Sequence, residues 1–464
     1  MSNINLVKNT LSFFTLPFVL SACVNLQSPE PAEHANIPLS FYSSTNGQSI
    51  AQQSYKTFIS DQRLLQVIQL ALDNNRDLRT AVLNIQKAQQ QYQITQNDQL
   101  PNIGVSASVI REIDSFKNPN NPYSTYQVGV GFTDYELDLW GRLKSLKDSA
   151  LNQYLATQNN RDAVQISLIA QVSNAWLNYA LASAQLKLAE QTVQTQLQSY
   201  EMIKKRFKAG VDNELPLHQS EILLETSRND VANFKTQILQ AENLLNLLVG
   251  QQVPKNLLSD QSIASISNET VFTTGLPSDL LNNRPDLKAA QYQLRAAGAN
   301  IGVAKARLFP NITLTATTGF ASTQLKELFN AQSFSWSIGP SLDLPIWDWG
   351  TRKAGVKISE IEQQTALAQY EKTIQTAFRE VNDALATKMF ISDRISAQER
   401  LVKSTYRSFQ LSQNRFKSGL DSYLAVLDSE RSTYAAKQNL LVLQQAKLNN
   451  QIELYKSLGG GLEH

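Results

Sequence analysis

The residue types that carry out most enzyme chemistry are scarce in this chain of 464 residues. It holds three histidines, His34, His218 and His464, which are widely separated, and a single cysteine, Cys23. No serine–histidine–aspartate spacing, glycine-rich phosphate loop or set of metal ligands is visible. We therefore predict no catalytic residue, no metal site and no cofactor, and we expect His218 to be a packing or surface residue.

The position of Cys23 indicates covalent lipid attachment. An apolar segment at residues 11–20, too short to cross a bilayer as a helix, ends at Leu20 and is followed by Ser21, Ala22 and Cys23. This order is typical of a bacterial lipoprotein signal peptide, and an ordinary secretory signal with a chance cysteine is the simpler alternative. We expect residues 1–22 to be removed and Cys23 to be acylated. Val24 follows Cys23 and favours anchoring of the protein in the outer membrane over the inner membrane.

Charge and hydropathy exclude two further classes of protein. The 42 basic and 40 acidic residues leave a net charge of +2, so no strong field attracts nucleic acid. No run of about twenty apolar residues is present, so no helix is predicted to cross a membrane. Any membrane-spanning segments must then be strands of a closed β-barrel.

Four motifs recur at one spacing, which indicates that the chain is an internal duplication with no net insertion. The pairs, each 209 residues apart (310 − 101 = 209), are Pro101-Asn102-Ile103 with Pro310-Asn311-Ile312, Trp140-Gly141 with Trp349-Gly350, residues 206–210 with 415–419, and Gly250 with Gly459. The predicted divisions are a signal peptide at 1–22, a lipid-anchored extension at 23–60, repeat 1 at 61–254, a linker at 255–276, repeat 2 at 277–459 and a tail at 460–464.

Each repeat is predicted to contain a leading helix, two strands and long helices. The leading helices, at about 64–99 and 277–308, each end just before a proline, which cannot continue a helix. Two stretches in each repeat then alternate apolar with small or polar residues, as strands between lipid and water do, although a soluble sheet is the alternative. These stretches are residues 103–109 and 126–133 in repeat 1, and 312–317 and 333–339 in repeat 2.

The long helices carry heptad repeats. Val172, Tyr179, Leu186, Val193 and Tyr200 follow one another at intervals of seven, and a second series lies four residues before them. Sustained heptads predict coiled-coil packing of helix on helix. Residues 143–208 would form roughly 100 Å of helix at about 1.5 Å per residue, which predicts a long, thin molecule.

Four strands are too few to close a barrel, so the chain is predicted to form an oligomer. Open strand edges are not tolerated in lipid. Two copies would supply eight strands around an interior filled by side chains. Three copies would supply twelve strands, with room for water inside.

Several of these motifs together resemble the signature of the TolC-like outer-membrane factors, and specifically the lipoprotein efflux-channel branch that serves RND-type multidrug pumps. They are Arg284-Pro285-Asp286-Leu287, Ile301-Gly302-Val303-Ala304, Phe309-Pro310-Asn311-Ile312 and Ile346-Trp347-Asp348-Trp349-Gly350. The resemblance implies a homotrimer in which a twelve-stranded barrel continues as an α-helical coiled-coil tunnel. It also implies two partners, a periplasmic adaptor protein and an inner-membrane RND-type pump, and passive conduction of drugs without chemistry.

The same resemblance places a channel gate at Leu424 and Asp428, which follow Gly419 as in the family's pattern. The two residues are one helical turn apart, so three copies would form an apolar ring and a carboxylate ring. The alternative is that Leu424 belongs to the coiled-coil core and Asp428 is a solvated residue in the first helical turn. Ala425 occupies the position of a second aspartate found in some relatives.

The helix–turn–helix tips are where the family meets its adaptor. Their glycines and basic turns are explained mainly by capping of the preceding helix. The predicted docking residues are Gly210, Val211, Asp212, Gly419, Leu420 and Asp421. Repeat 1 has Leu215 and Gln219 at the gate positions and is predicted to be a fixed wall, whereas repeat 2 closes the channel.

Three other functions are compatible with parts of the pattern. The channel could carry heavy-metal ions, although methionine is scarce, or serve type I protein secretion, although such channels usually lack a lipid anchor. A lipoprotein coiled-coil spacer that bridges envelope layers without conducting is the alternative from another class.

Overall fold

The computed structural model describes residues 26–31, 50–113, 122–258 and 279–462. Cys23, the predicted signal peptide and most of the predicted linker lie outside these residues. The chain divides into two compact units. One contains the strands and lies within Met1–Pro29, Thr95–Asp148 and Gly298–Glu360; the other is helical and lies within Glu30–Ile94, Ser149–Ala297 and Ile361–His464.

The two repeats contain the same succession of elements. Each has a short and a longer leading helix, two strands, a helix of 67 residues and a final helix of 36 or 35 residues. After a short helix α1 (Tyr55–Phe58), the elements of repeat 1 are α2 (Gln62–Asn74), α3 (Arg76–Asn97), β1 (Gly104–Glu112), β2 (Tyr123–Glu136), α4 (Arg142–Lys208) and α5 (Glu214–Val249). Those of repeat 2 are α6 (Asp279–Asn283), α7 (Pro285–Ala306), β3 (Asn311–Ser322), β4 (Phe334–Asp343), α8 (Thr351–Lys417) and α9 (Tyr423–Ser457).

Each leading segment is two helices, so the prediction of one continuous helix was wrong. In repeat 1 the break falls at Asn75, whose side-chain oxygen accepts from the Leu78 amide at 2.9 Å. The side-chain amide of Asn75 donates to the Leu248 carbonyl at 2.7 Å. Asparagine caps helices through local hydrogen bonds such as the one that Asn75 accepts from Leu78. In repeat 2 the break falls at Arg284, because Pro285 disfavours helical geometry at the residue before it.

The four strands form one antiparallel sheet in the order β1-β2-β3-β4. Consecutive strands pair, so β2 and β3 join the two repeats in the middle of the sheet. Strands β1 and β4 are its edges, and every residue of both is exposed. Within the chain, each edge strand therefore has one side whose backbone groups pair with no other strand of the sheet.

The two repeats differ by one residue in their strand registers. Val105 pairs with Val130 in repeat 1, whereas Leu314, its equivalent, pairs with Pro340, which lies 210 and not 209 residues after Val130. Strand β2 compensates with an irregularity between Phe132 and Tyr135, where Asp134 has a φ of 54°. The extra residue of a β-bulge accounts for such a shift.

The two heptad series of α4 are buried to different extents. The small residues of one series, including Ala175, Ala182 and Ala189, are buried along with Val172. The larger Tyr179, Leu186, Val193 and Tyr200 are only half-buried in the single chain. Among the described helices, none combines the length and apolar character needed to cross a membrane.

Candidate functional site

Both helical tips end in the same glycine-capped turn. Gly210 has a φ of +74° and donates its N–H to the Phe207 carbonyl at 2.9 Å. The next amide, of Val211, donates to the Arg206 carbonyl at 3.0 Å. This pair of bonds defines the Schellman cap, which favours glycine because its left-handed residue would strain a Cβ. Gly419, with a φ of +71°, ends α8 in the same way.

An arginine and an aspartate close each tip with two hydrogen bonds. Arg206 binds Asp212 at 2.6 and 3.2 Å. In repeat 2, Arg415 binds Asp421 at 2.6 and 2.8 Å. The hydrogen bond from Arg415 lowers the pKa of the Asp421 carboxyl, and the same bond raises the pKa of Arg415. Helix capping alone was therefore an incomplete explanation of the basic turns, since each of these arginines also positions a residue predicted to dock the adaptor.

The two tips of one chain pack against each other through a small apolar cluster. Its buried members are Ile203, Phe416, Tyr423, Val426 and Leu427. The guanidinium of Arg206 also lies 5.2 Å from the centre of the Phe416 ring, a cation–π distance. Residues at the start of α9 are thereby held against the end of α4.

The predicted gate residues lie outside this cluster, on an exposed face of α9. Leu424 is 56% exposed, so it is not part of a core within one chain. Asp428 follows one turn later and pairs with Arg431 at 2.7 Å, both side chains being largely exposed. Leu424, Asp428 and Arg431 are spaced by four and three residues and share one solvated face.

The matching region of repeat 1 has different chemistry. Leu215 is exposed like Leu424, but the following turn carries His218. The His218 ring lies on the surface, with Nδ1 at 3.2 Å from Glu221 and Nε2 at 3.7 Å from Glu214. No group of three potential metal ligands occurs among the described residues.

Glu430, two residues after Asp428, was not singled out by the sequence analysis. Its side chain is buried, with 6% of its surface exposed, and neither carboxylate oxygen has a hydrogen-bond partner among the described residues. It lines a cavity of about 270 Å³ together with Tyr434 and Lys437. Burial raises the pKa of Glu430 to about 7. A signal was present, because Glu430 stands seven residues after the buried Tyr423, at a heptad core position.

Arg284 explains one of the quoted motifs structurally. Its guanidinium binds Asp286 at 2.7 and 3.0 Å, Glu380 at 2.8 Å and the Ser457 carbonyl at 3.0 Å. Burial lowers the pKa of Arg284, but the two carboxylates outweigh that effect and the pKa is raised. The residue therefore joins the start of α7 to α8 and to the end of α9.

At the opposite end of the long helices, each strand–helix turn carries a tryptophan followed by glycine. Trp140 donates its indole N–H to the Pro310 carbonyl at 2.8 Å and stacks on Phe309 at 4.7 Å between ring centres. Gly141 and Gly350 have φ values of 70° and 85°, which lets the chain turn sharply into α4 and α8. Trp349, the equivalent of Trp140, is 88% exposed.

Comparison with known proteins confirms the resemblance. The sequence profile of a family described as OEP, outer membrane efflux protein, matches residues 67–251 and 276–460. The two matched segments begin 209 residues apart (276 − 67 = 209), which is the spacing of the repeated motifs.

Individual relatives cover nearly the whole chain. The solvent efflux pump outer membrane protein SrpC of Pseudomonas putida is 40% identical over 88% of this chain and 87% of that protein. The cation efflux system protein CusC of Escherichia coli O6:H1 is 38% identical over 92% and 93%.

Solved structures show the same fold. CusC superposes with a TM-score of 0.85 at 36% identity, covering 94% of this chain and 100% of CusC. The open state of the MtrE outer membrane channel of Neisseria gonorrhoeae gives 0.86 at 32% identity, covering 94% and 98%. Proteins of this family are transport channels rather than enzymes. The chain belongs to the outer membrane efflux protein family and is the outer-membrane channel component of an efflux pump.

Proposed function

We propose that three copies of this chain form a twelve-stranded barrel continued by a helical tunnel, and that this duct conducts small toxic organic compounds out of the cell. The observation that carries the proposal is the open four-stranded sheet, in which β1 and β4 are edges that pair with no further strand among the described residues. Three copies supply twelve strands, enough for a barrel with an aqueous interior. Partners at the other end would be a periplasmic adaptor and an inner-membrane RND-type pump.

Leu424 and Asp428 are the residues we propose for the gate. Both project from the exposed face of α9, and neither takes part in the apolar cluster between the tips. Around a threefold axis, Leu424 would form an apolar constriction and Asp428 a carboxylate ring that favours cations. Each Asp428 already has Arg431 as a counter-charge, so a gate built from three copies would contain three such ion pairs.

Conductance of the purified protein in planar bilayers tests both the duct and the gate. The double variant Leu424→Ala with Asp428→Ala should conduct more than the parent, because it removes both rings. The matched repeat-1 variant, Leu215→Ala with Gln219→Ala, should conduct as the parent does. Parental conductance in both would place the constriction elsewhere, and no current from any of the proteins would indicate a non-conducting spacer.

The tips are the proposed docking surface for the adaptor. Val211 and Leu420 are exposed at equivalent positions of the two tips, beside the paired Asp212 and Asp421. Changing Val211 and Leu420 to aspartate should reduce co-purification of the adaptor while leaving conductance of the isolated channel unchanged. If the adaptor is still fully recovered with the Val211→Asp variant and with the Leu420→Asp variant, the tips are not where it binds.

The class of cargo is tested by the resistance profile of a deletion strain. One relative is called a solvent pump protein and another a cation efflux protein. The scarcity of methionine, three residues in the chain, favours organic compounds over soft metal ions. Greater sensitivity to solvents and antibiotics is expected, whereas sensitivity to metal salts alone would assign the cation role.

The lipid anchor is a separate part of the proposal. We expect Cys23 to carry the lipid, and Cys23→Ser to remove it while much of the protein stays inserted in the outer membrane. The strands, and not the acyl chains, would hold the protein there. Complete loss of the variant from outer-membrane fractions would show that the anchor is needed for insertion.

A further inference from the structure

One of the contacts between the repeats inside the chain consists of a projecting side chain, here called the ridge, and the residues that it packs against, here called the socket. Trp140, which follows β2, is the ridge. Phe309 and Pro310, which precede β3, are the socket, joined to Trp140 by the 2.8 Å indole hydrogen bond and by ring stacking. The paired strands β2 and β3 bring these residues together, because the end of β2 lies beside the beginning of β3.

Both halves of this contact are present a second time without being joined. Trp349 follows β4 and lies 209 residues after Trp140 (349 − 140 = 209). The residues equivalent to Phe309 and Pro310 are Leu100 and Pro101 (310 − 101 = 209), which precede β1. Trp349 is 88% exposed and Leu100 66% exposed, so the second ridge and the second socket are both open.

One chain cannot join the second pair to itself. Strands β4 and β1 are the two opposite edges of the sheet, with β2 and β3 between them. The open ridge stands at the end of one edge strand and the open socket at the beginning of the other. A second copy can bring them together by adding its β1 edge to the β4 edge of the first, in continuation of the sheet.

We propose that Trp349 docks on Leu100 and Pro101 of a neighbouring copy, with its indole N–H donating to the Pro101 carbonyl. The inference rests on the proposed oligomeric function and adds the contact that joins one copy to the next. Such a contact is heterologous, since different surfaces meet, and heterologous contacts generate a ring when the rotation closes. The indole gains an acceptor, and its apolar body is covered by Leu100.

The chemistry of the socket favours this occupant over lipid. A lipid interface covers an indole but provides no defined partner for its N–H. The intrachain contact shows that a proline carbonyl at this point of the sequence motif accepts the bond. Leu100 takes the place that Phe309 has in the contact within a chain. A leucine cannot stack on the indole ring but still offers an apolar surface, so the contact between copies is expected to be the weaker one.

A photo-crosslinking amino acid distinguishes the two contacts. The benzophenone side chain p-benzoyl-phenylalanine is placed at position 349 in the full-length, membrane-inserted protein, and in a matched variant at position 140. After irradiation, the variant at 349 should give adducts between chains, and mass spectrometry should locate them on the peptide that contains Leu100 and Pro101. The variant at 140 should react within its own chain, at Phe309 or Pro310.

Three further results decide the interpretation. Leu100→Asp in the 349 background should lower the yield of the adduct several-fold, because it places a charge under the ring. If the 349 variant conducts as an oligomer but its adducts lie elsewhere or are absent, the contact is wrong and the proposed duct stands. If the parent protein neither oligomerises nor conducts, the duct and the contact both fail.

Discussion

The guanidinium of Arg284 lies 2.8 Å from the carboxylate of Glu380, a residue 96 positions later in α8. The same nitrogen donates to the Ser457 carbonyl at the end of α9, and only 10% of the Arg284 side chain is exposed. One buried cation thus fixes three helices of repeat 2. The Arg-Pro-Asp-Leu motif that contributes to the family resemblance is explained here by packing and not by transport.

Removing this arginine should destabilise the protein strongly. Arg284→Met leaves the Glu380 and Asp286 carboxylates, which are 26% and 35% exposed, facing an apolar side chain. The cost should lie between the roughly 1 kcal/mol of an exposed pair and the about 3–5 kcal/mol of a fully buried one. Chemical unfolding of the purified protein measures the loss. Arg228→Ala is the matched control, because Arg228 forms an exposed pair with Glu225 that is worth under about 1 kcal/mol. Equal effects of the two variants would contradict the role of Arg284.

Glu430 should make stability depend on pH around neutrality. Its pKa is raised to about 7 in the folded chain, so folding favours the protonated form. The contribution of Glu430 to stability is therefore most favourable below the unfolded pKa of about 4.3 and is lost as the pH rises from there through 7. Glu430→Gln should stabilise the protein by up to roughly 3 kcal/mol at pH 8.

Below pH 4 the same variant should have little effect, because the parent carboxyl is then protonated in both states. Thermal unfolding of the parent and the variant at the two pH values measures the difference. Lys437 lines the same cavity, so Lys437→Met serves as the control for a change of charge there. A stabilisation by Glu430→Gln that is equal at pH 4 and pH 8 would contradict the assignment.

The ion pair of the second tip should be lost in acid. Arg415 lowers the pKa of Asp421, so the contribution of the pair is present above the usual aspartate pKa of about 4 and disappears as the pH falls through the lowered value. Arg415→Gln should accelerate amide hydrogen exchange in the 417–422 turn at pH 7. After correction for intrinsic rates, the difference should shrink as the pH is lowered and vanish once the Asp421 carboxyl is protonated. A difference that remains when NMR titration shows Asp421 to be protonated would indicate that Arg415 stabilises the turn in another way.

The capping glycine of the second tip has a matched control within the same helix. Gly419→Ala places a Cβ on a residue with a φ of +71° and should destabilise the tip by about 1–2 kcal/mol. Gly355 lies inside α8, where an added Cβ would have no neighbour within 4 Å, so Gly355→Ala should stabilise the helix by about 0.5–1 kcal/mol. Opposite shifts in the melting temperature are expected, and shifts of the same sign would contradict the capping argument.

The order of the elements could be read from the sequence because the signals were periodic or repeated. Alternation located the strands, heptads located the long helices, and Gly210 and Gly419 marked where those helices end. The breaks at Asn75 and Arg284 were missed because a helix interrupted for a single residue retains its apolar spacing. The bulge near Asp134 was missed because one extra residue is hidden when the motifs on either side keep the same offset.

The residues of the candidate site could be predicted from the sequence only in part. Leu424 and Asp428 were predicted through the resemblance, and their role in a gate stays a prediction. Glu430 was not predicted, because burial of a carboxylate depends on which helices pack around it. The pairing of Arg415 with Asp421 requires a tight turn between them. Their six-residue spacing alone does not predict contact.

The two exposed edges of the sheet also constrain how the protein assembles. A single copy ends in β1 and β4, and so does any open chain of two or three copies, because each joining step consumes one edge of each partner. Each open assembly, whatever its length, therefore keeps two free edges, and only closure removes the last two. If the sheet closes into a barrel as proposed, every partial assembly in lipid would still carry the penalty of two unpaired edges, which favours the closed ring over its partial assemblies. The rate of insertion should then rise more steeply than linearly with the concentration of free chains.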